Sequence, residues 1–305
     1  MTALAPSPAA AKGRASGGSS SGSGSSGSRG ATGRAIGRAV GRSLLNAVVT
    51  LLIVLAMWQS VVSFLGVSPY VAKGPVDVYK FLFVDEPGAA AGQLAADNRA
   101  AMRPLTVQTL QDAGLGFAVG MSIAVVLAIL FSLSRTVEAG IMPLALLLRS
   151  VPLVSISPVI ILITGRGSTA SVAVIGSIVV LFPALASALF GLSRASKESL
   201  DLIRVYGGSN ATALRKVALP GALPSLFAAA RVSVPGAVTG ALLAEWLSTG
   251  QGIGGSIQKF STAAQFDDLW ASVAIITAIT LVLYNLVQLA ENVVLARMGM
   301  SQSAG

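Results

Sequence analysis

The sequence contains no cysteine and no histidine. The first absence excludes disulfides, thiol nucleophiles, iron–sulfur clusters and thiolate zinc sites. The second excludes imidazole metal ligands, histidine-ligated haem and Ser-His-Asp catalysis. Charge is scarce as well: 11% of the 305 residues are Asp, Glu, Lys or Arg, against about 25% in a soluble domain. There is no GxxxxGK[ST] phosphate loop, so ATP is not bound in that way. No cofactor or metal is expected. With 53% hydrophobic residues, 33 glycines and a mean hydropathy of +0.77, the chain is too apolar for a water-soluble globule. Lipid is its natural solvent.

Long apolar runs are what the sequence does have. Residues 44–65 carry no charge, and as a helix they would reach about 33 Å, enough to cross a hydrocarbon core. Further runs cover 105–133, 140–163, 168–192, 221–247 and 269–296. Irregular backbone cannot face lipid, so each must be helical or shielded by its neighbours. The expected fold is all-α: a polytopic membrane protein with about six transmembrane helices. Residues 1–42 read as a flexible Gly/Ser-rich basic tail, and 43–66 as the first transmembrane helix. Residues 67–104 read as an external segment with short helices, one starting at Gly74-Pro75. Residues 105–297 would form a five-helix core with a cytoplasmic loop at 193–217, and 298–305 a second cytoplasmic tail.

Charge placement gives the expected topology. With the N-terminal tail inside, the inside segments hold 13 of the 21 Lys and Arg and the outside segments 6. Positive residues accumulate on the cytoplasmic side of membranes, so both termini are expected in the cytoplasm. The net charge of +9 then lies mostly on the inner face. The tail arginines have no interleaved aromatics, and no nucleic acid is expected as a partner.

One polar break stands out between two apolar spans, Lys197 to Pro220 (KESLDLIRVYGGSNATALRKVALP). Leu200, Ile203 and Leu214 make it partly amphipathic. Gly207-Gly208 stops a helix, and Ser209 or Asn210 can cap a second one. A helix–turn–helix lying along the membrane surface is expected. The segment resembles the cytoplasmic loop of ABC importer permeases, EAA-x3-G-x9-I-x-L-P. Asp201, Leu202 and Ile203 take the EAA place, three residues precede Gly207, and nine more lead to Val217, Ala218, Leu219 and Pro220. Asp-Leu-Ile replaces Glu-Ala-Ala, and Val replaces Ile.

Further matches are similar to the sulfonate/taurine/nitrate-type branch: the run from Arg149 to Gly167 with Pro152 and Pro158, Phe182-Pro183, Gly116-Phe117, the LPGALP from Leu219, Arg231, Ala244-Glu245, and Gly252-Ile253-Gly254. The resemblance covers residues 65–297 or so. It implies the type I, methionine-importer-like permease fold and a subunit without catalysis of its own. Its implied partners are cytoplasmic ABC ATPase subunits, a second permease copy, an extracytoplasmic solute-binding protein and the lipid bilayer. It also implies ATPase coupling through residues 197–220, with Asp201, Leu202, Ile203, Arg204, Gly207, Leu219 and Pro220 at the contact. Branch relatives handle sulfonates, taurine, nitrate and thiamine-related pyrimidines, so the solute itself is not legible.

Ionisable groups at membrane depth are expensive and normally face a cavity or a partner. Arg149 has two readings. With Ser150, Ser155 and Ser157, and the backbone carbonyls freed by Pro152 and Pro158, it suits the path of a small anion; alternatively it is a structural arginine. Arg231 and Glu245 share a helix face about 21 Å apart, too far to pair, and are candidates for a gate or a structural role. Glu245 would either anchor an outer gate or hold the Gly250–Gly254 turn. Asp112 and Glu291 lie near span ends and are expected to reach water. The competing functions are a stand-alone secondary transporter or channel, and an intramembrane enzyme. The first usually shows midplane carboxylates in repeats; the second would need a Ser-Lys pair, but Lys197 and Lys259 lie outside the spans.

Overall fold

The computed structural model describes residues 49, 51–64, 66, 68–85 and 94–298. The two expected tails, 1–42 and 298–305, lie outside these residues apart from Met298. The chain divides into two units, 1–57 and 58–305. The first contributes the start of α1 (Leu51–Phe64), whose Leu51, Leu52, Ile53 and Met57 are exposed. All contacts below lie in the second unit.

Among the described residues there is no strand. After α1 come α2 (Pro75–Phe83), α3 (Ala95–Leu133), α4 (Arg135–Ser150), α5 (Leu153–Thr164), α6 (Thr169–Ser193) and α7 (Lys197–Val205). Then follow α8 (Asn210–Ala213), a π-helical turn at Leu214–Ala218, α9 (Leu219–Ala244), a second π-helical turn at Glu245–Thr249, α10 (Gly252–Thr262) and α11 (Phe266–Arg297). Among the described residues, four helical stretches are long and apolar enough to cross a membrane: Ala95–Leu133, Thr169–Ser193, Asn210–Thr249 and Phe266–Arg297. Leu51–Phe64 and Leu153–Thr164 are shorter apolar helices.

The core is the packing of α3, α6 and α9, and it is built from small residues. Between helices in lipid the hydrophobic effect is absent, so close van der Waals approach of backbones supplies the attraction. A β-carbon on Gly116 of α3 would come 2.9 Å from Gly176 Cα of α6, and one on Gly240 of α9 would meet the same atom at 2.9 Å. Three helices therefore touch at Gly176. Along the three helices Ala124, Ala128, Ala184, Ala188, Ala222 and Ala241 are fully buried. By contrast α11 turns Leu281, Val282, Leu286 and Leu289 outward, as a helix in lipid does.

The structure departs from the sequence reading in four places. The expected span 140–163 is two helices, α4 and α5, parted at Val151-Pro152. Proline has no N–H to continue the helix and pushes the preceding residue to extended backbone; Val151 has φ −80° and ψ 126°. Second, α3 starts ten residues ahead of its apolar run. Its polar first turns are stitched to α2: Ala95 N–H donates to Asp85 Oδ1 at 2.8 Å, Asn98 Nδ2 to the Phe81 carbonyl at 2.8 Å, and Arg99 to the Leu82 carbonyl. Third, the second short helix of the 197–220 segment is the first turn of the long helix Asn210–Thr249 rather than a separate surface element. The π-helical turn at Leu214–Ala218 lies just ahead of Pro220, where an N–H is missing,. Fourth, the turn after Gly250 opens into α10, a helix that hydropathy alone does not reveal.

Residues 70–73 strap onto the α10–α11 corner. Tyr70 Oη donates to the Ala264 carbonyl at 3.0 Å, Trp270 Nε1 to the Val71 carbonyl at 2.9 Å, and Lys73 pairs with Asp267 at 3.0 Å. Trp58 stacks on Trp270 with ring centroids 5.7 Å apart.

Candidate translocation path and coupling loop

α7 begins where Ser196 caps it, accepting from Ser199 N–H at 3.2 Å, with Glu198 in the first turn where the helix dipole favours an acid,. It ends at Gly207, whose φ of 78° is open to glycine and costly for most other residues,. Gly208 N–H closes the end on the Ile203 carbonyl at 2.8 Å. A β-carbon on Gly208 would lie 2.8 Å from that same carbonyl oxygen, so both glycines are needed for the elbow. Asp201 and Arg204 pair at 3.2 Å but are both exposed, so the pair adds little stability.

The apolar side chains of α7 divide. Ile203 folds back on Gly208. Leu202, Val205 and Tyr206 stand in solvent at 57%, 82% and 83% exposure. Val205 and Tyr206 did not stand out in the sequence, because the loop pattern treats their positions as spacer. Leu219 packs on the main core, and Pro220 lies in the first turn of α9.

Arg149 lies in the last turn of α4 and is exposed. Together with Pro152, Phe182 and Pro183 it lines a concavity of about 550 Å³ at the α4–α5 break and along α6. Ser150 Oγ donates to the Leu147 carbonyl at 2.7 Å. Ser155 and Pro158 are exposed on α5. Ser157 is fully buried and donates back to the Leu153 carbonyl at 2.7 Å, so its hydroxyl is taken up within the helix.

Asp112 and Glu291 do not reach water: they are 8% and 2% exposed. Hydropathy along the chain locates a span end but not the neighbouring helix that covers it. Glu291 pairs with Arg231 at 3.2 Å, joining α11 to α9, and Arg231 also lies over the Tyr284 ring at 5.8 Å. Asp112 accepts from Gln108 Nε2 at 3.1 Å.

Glu245 is fully buried at the far end of α9 from α7. Its Oε2 accepts from Thr109 Oγ1 at 3.0 Å and from Gly254 N–H at 2.7 Å. Thr109 Oγ1 in turn accepts from Ile253 N–H at 2.9 Å. The free N–H groups at the start of α10 are thus satisfied by one carboxyl and one hydroxyl, and the turn is latched to α3. Gly252 lies so close to the carboxyl that a β-carbon would overlap it, and a β-carbon on Gly254 would overlap the Leu242 carbonyl. Thr109 was invisible in the sequence, since its partner is 136 residues away and an isolated threonine in an apolar run gives no signal.

Bundled spans packed through small residues, a proline break beside a concavity, and an exposed elbow at one end define a membrane permease rather than an enzyme. Residues 116–299 match the family described as "Binding-protein-dependent transport system inner membrane component", and the chain belongs to it. It is 28% identical to a "Probable ABC transporter permease protein" of Haemophilus influenzae, over 76% of this chain and 89% of that one. It is 27% identical to the "Taurine transport system permease protein TauC" of Escherichia coli, over 77% and 82%. A solved structure titled "Crystal structure of an amino acid ABC transporter with histidines" superposes with a TM-score of 0.51 at 17% identity, covering 64% of this chain and 96% of that one; this likeness concerns the fold. The chain is therefore a membrane-embedded permease subunit of an ABC importer, and the readings as a stand-alone transporter, channel or intramembrane enzyme give way.

Proposed function

We propose that this permease couples to a separate cytoplasmic ATPase through the elbow 197–220 and passes a small, anionic solute along the Arg149 face. A binding protein on the outer side delivers the solute, and a second copy of the chain completes the pore. Both termini then lie in the cytoplasm. The observation that carries the coupling is α7 itself. A nine-residue helix joined at each end to a long span, with Leu202, Val205 and Tyr206 exposed, is a lever with an apolar tip and no internal partner for it. Displacement of α7 is transmitted to α6 and α9, which meet at Gly176. Leu202 is a groove-filling contact for the ATPase, and Asp201 and Arg204 orient it. The homodimer rests on a different face: Leu144, Leu146 and Leu147 of α4 and Leu162 and Ile163 of α5 are all exposed by more than half.

The test is a pull-down of the tagged chain from its native membrane. Capture of an ATPase and a membrane-subunit stoichiometry of two are expected. Gly207→Asp places a branched side chain at a φ of 78°, with a local cost of about 1–3 kcal/mol, far from the core. It should insert normally but lose the ATPase; a variant that keeps its ATPase and transports at the native rate refutes the coupling role. Ser20→Cys should be labelled only from the inside by an impermeant maleimide, the chain having no native cysteine. Arg149→Ala should reduce uptake more than assembly. Normal transport by this variant removes Arg149 from the path.

A further inference from the structure

We infer that the end of the bundle opposite α7 carries a receiving site for a small oxyanion, built around Arg166 and Lys259. The site deepens the function proposed above, and its assignment to the outer face rests on α7 lying on the ATPase side. A cavity of about 300 Å³ is lined there by Arg166, Lys259, Gln258, Trp246, Ser248 and Thr249, among others. That volume is at the small end of ligand pockets.

The position of each group follows from the local backbone. Arg166 sits on the turn between α5 and α6, flanked by Gly165 and Gly167 with φ of 90° and 72°. That turn is pinned to the second π-helical turn. Gly167 N–H donates to Ser248 Oγ at 3.1 Å, and Ser248 and Ser171 hydroxyls pair at 2.7 Å, both buried. Lys259 lies one turn from the end of α10 and donates to the Gly250 carbonyl at 2.7 Å. Trp246 Nε1 donates to Gln258 Oε1 at 2.9 Å, leaving the amide nitrogen of Gln258 as a donor. Glu245 holds the start of α10 and so holds both π-turn and helix in place.

The charge is of one sign. Among the described residues no acidic side chain lines the cavity. Among the described residues neither Arg166 nor Lys259 forms an ion pair. Two cations on a concave wall focus positive potential into it. Guanidinium and ammonium make their strongest hydrogen bonds to charged oxygens, and the hydroxyl of Thr249 and the amide of Gln258 add neutral donors. The chemistry fits a sulfonate- or nitrate-sized oxyanion. The site is distinct from the Arg149 concavity, which lies at the α4–α5 break, and it provides a first station for solute released outside.

The test uses the purified full-length chain in lipid nanodiscs. The protein has three tryptophans, and Trp58 and Trp270 stack on one another. Replacing these two by phenylalanine leaves Trp246, inside the cavity, as the sole reporter. Titration with sodium ethanesulfonate at constant ionic strength, balanced with sodium chloride, should give a saturable fluorescence change. Arg166→Gln and Lys259→Gln should each weaken it about tenfold, as expected when a charged hydrogen bond is lost, and Lys259→Arg should retain it. No saturable change in the parent overturns the site, as does an equal response when Arg166→Gln and Lys259→Gln are combined. ATPase capture by the same preparation is read separately. Anion binding without capture sinks the coupling role and leaves the site standing; capture without anion binding does the reverse.

Discussion

The two ends of the bundle are built on opposite principles. At one end α7 is short, polar at its base and exposed at its tip, with Ile203 folded back on Gly208. At the other end Glu245, Thr109 and the N-terminus of α10 are buried in a closed set of hydrogen bonds. The first end leaves apolar side chains exposed; the second pairs the Ile253 and Gly254 amides of α10. A lever needs a free tip and a fixed fulcrum. Changes at the latch should therefore cost folding, and changes at the elbow should cost association while folding survives.

The largest effect is expected at the latch. Gly254→Ala sets a methyl against the Leu242 carbonyl, a backbone atom that no rotamer change can move away. Such overpacking costs about 3 kcal/mol or more. The variant should be recovered in low yield and lose its thermal transition in detergent. Glu245→Ala leaves the Gly254 N–H without its acceptor, at a cost of about 1–3 kcal/mol, while Glu245→Gln keeps an oxygen there and should fall between it and wild type. A Glu245→Ala protein as stable as the parent would show that the latch is decorative, and the contrast between the two ends would fail.

Next comes the pair that joins α9 to α11. Arg231→Ala removes the ion pair of Glu291, which is 2% exposed, and breaking a buried pair costs about 3–5 kcal/mol. Arg231 retains some solvent contact, so the lower end of that range applies. The double variant Arg231→Met with Glu291→Leu should regain most of the loss, because two well-packed apolar side chains substitute for an ion pair. Thermal denaturation of the three proteins decides this. A double variant as unstable as the single one would mean that the charge of Arg231 serves something other than Glu291.

How much of this was readable along the chain depends on how far apart the partners are. The α7 elbow was legible since its signals are local: a capping serine, an amphipathic turn, and Gly207 followed by Leu219-Pro220 at a fixed spacing; the merging of its second helix into Asn210–Thr249 was not. The long spans were legible for the same reason, as apolar runs with at most two charged residues each. The division of the 140–163 run into α4 and α5 was half legible, in Pro152. What was not legible depends on neighbours from another part of the chain. Asp112 and Glu291 were expected to reach water because a helix end looks wet until the adjacent helix is known. Thr109 and Ser248 are single polar residues whose partners lie 136 and 77 positions away. The meeting of Gly116, Gly176 and Gly240 is invisible in a sequence with 33 glycines, where small residues alone do not say which ones touch.

The smallest effect on folding should come from the tip of the lever. Tyr206 is 83% exposed and Val205 82%, so Tyr206→Ser and Val205→Ser should each change stability by less than about 0.5 kcal/mol. An exposed tyrosine that becomes buried on docking is the kind of side chain that carries interface energy, and its removal typically costs more than about 1 kcal/mol of binding. Tyr206→Ser should thus weaken ATPase capture several-fold with an unchanged thermal transition. Ile203→Ser should show the reverse: its side chain packs on Gly208, so it should loosen the elbow itself. Limited proteolysis should then cut near residue 206 faster in the Ile203 variant than in the Tyr206 variant. If Ile203→Ser weakens capture without raising proteolysis, Ile203 rather than Tyr206 touches the partner, and the orientation of α7 against the ATPase is rotated from the one drawn by its exposed face.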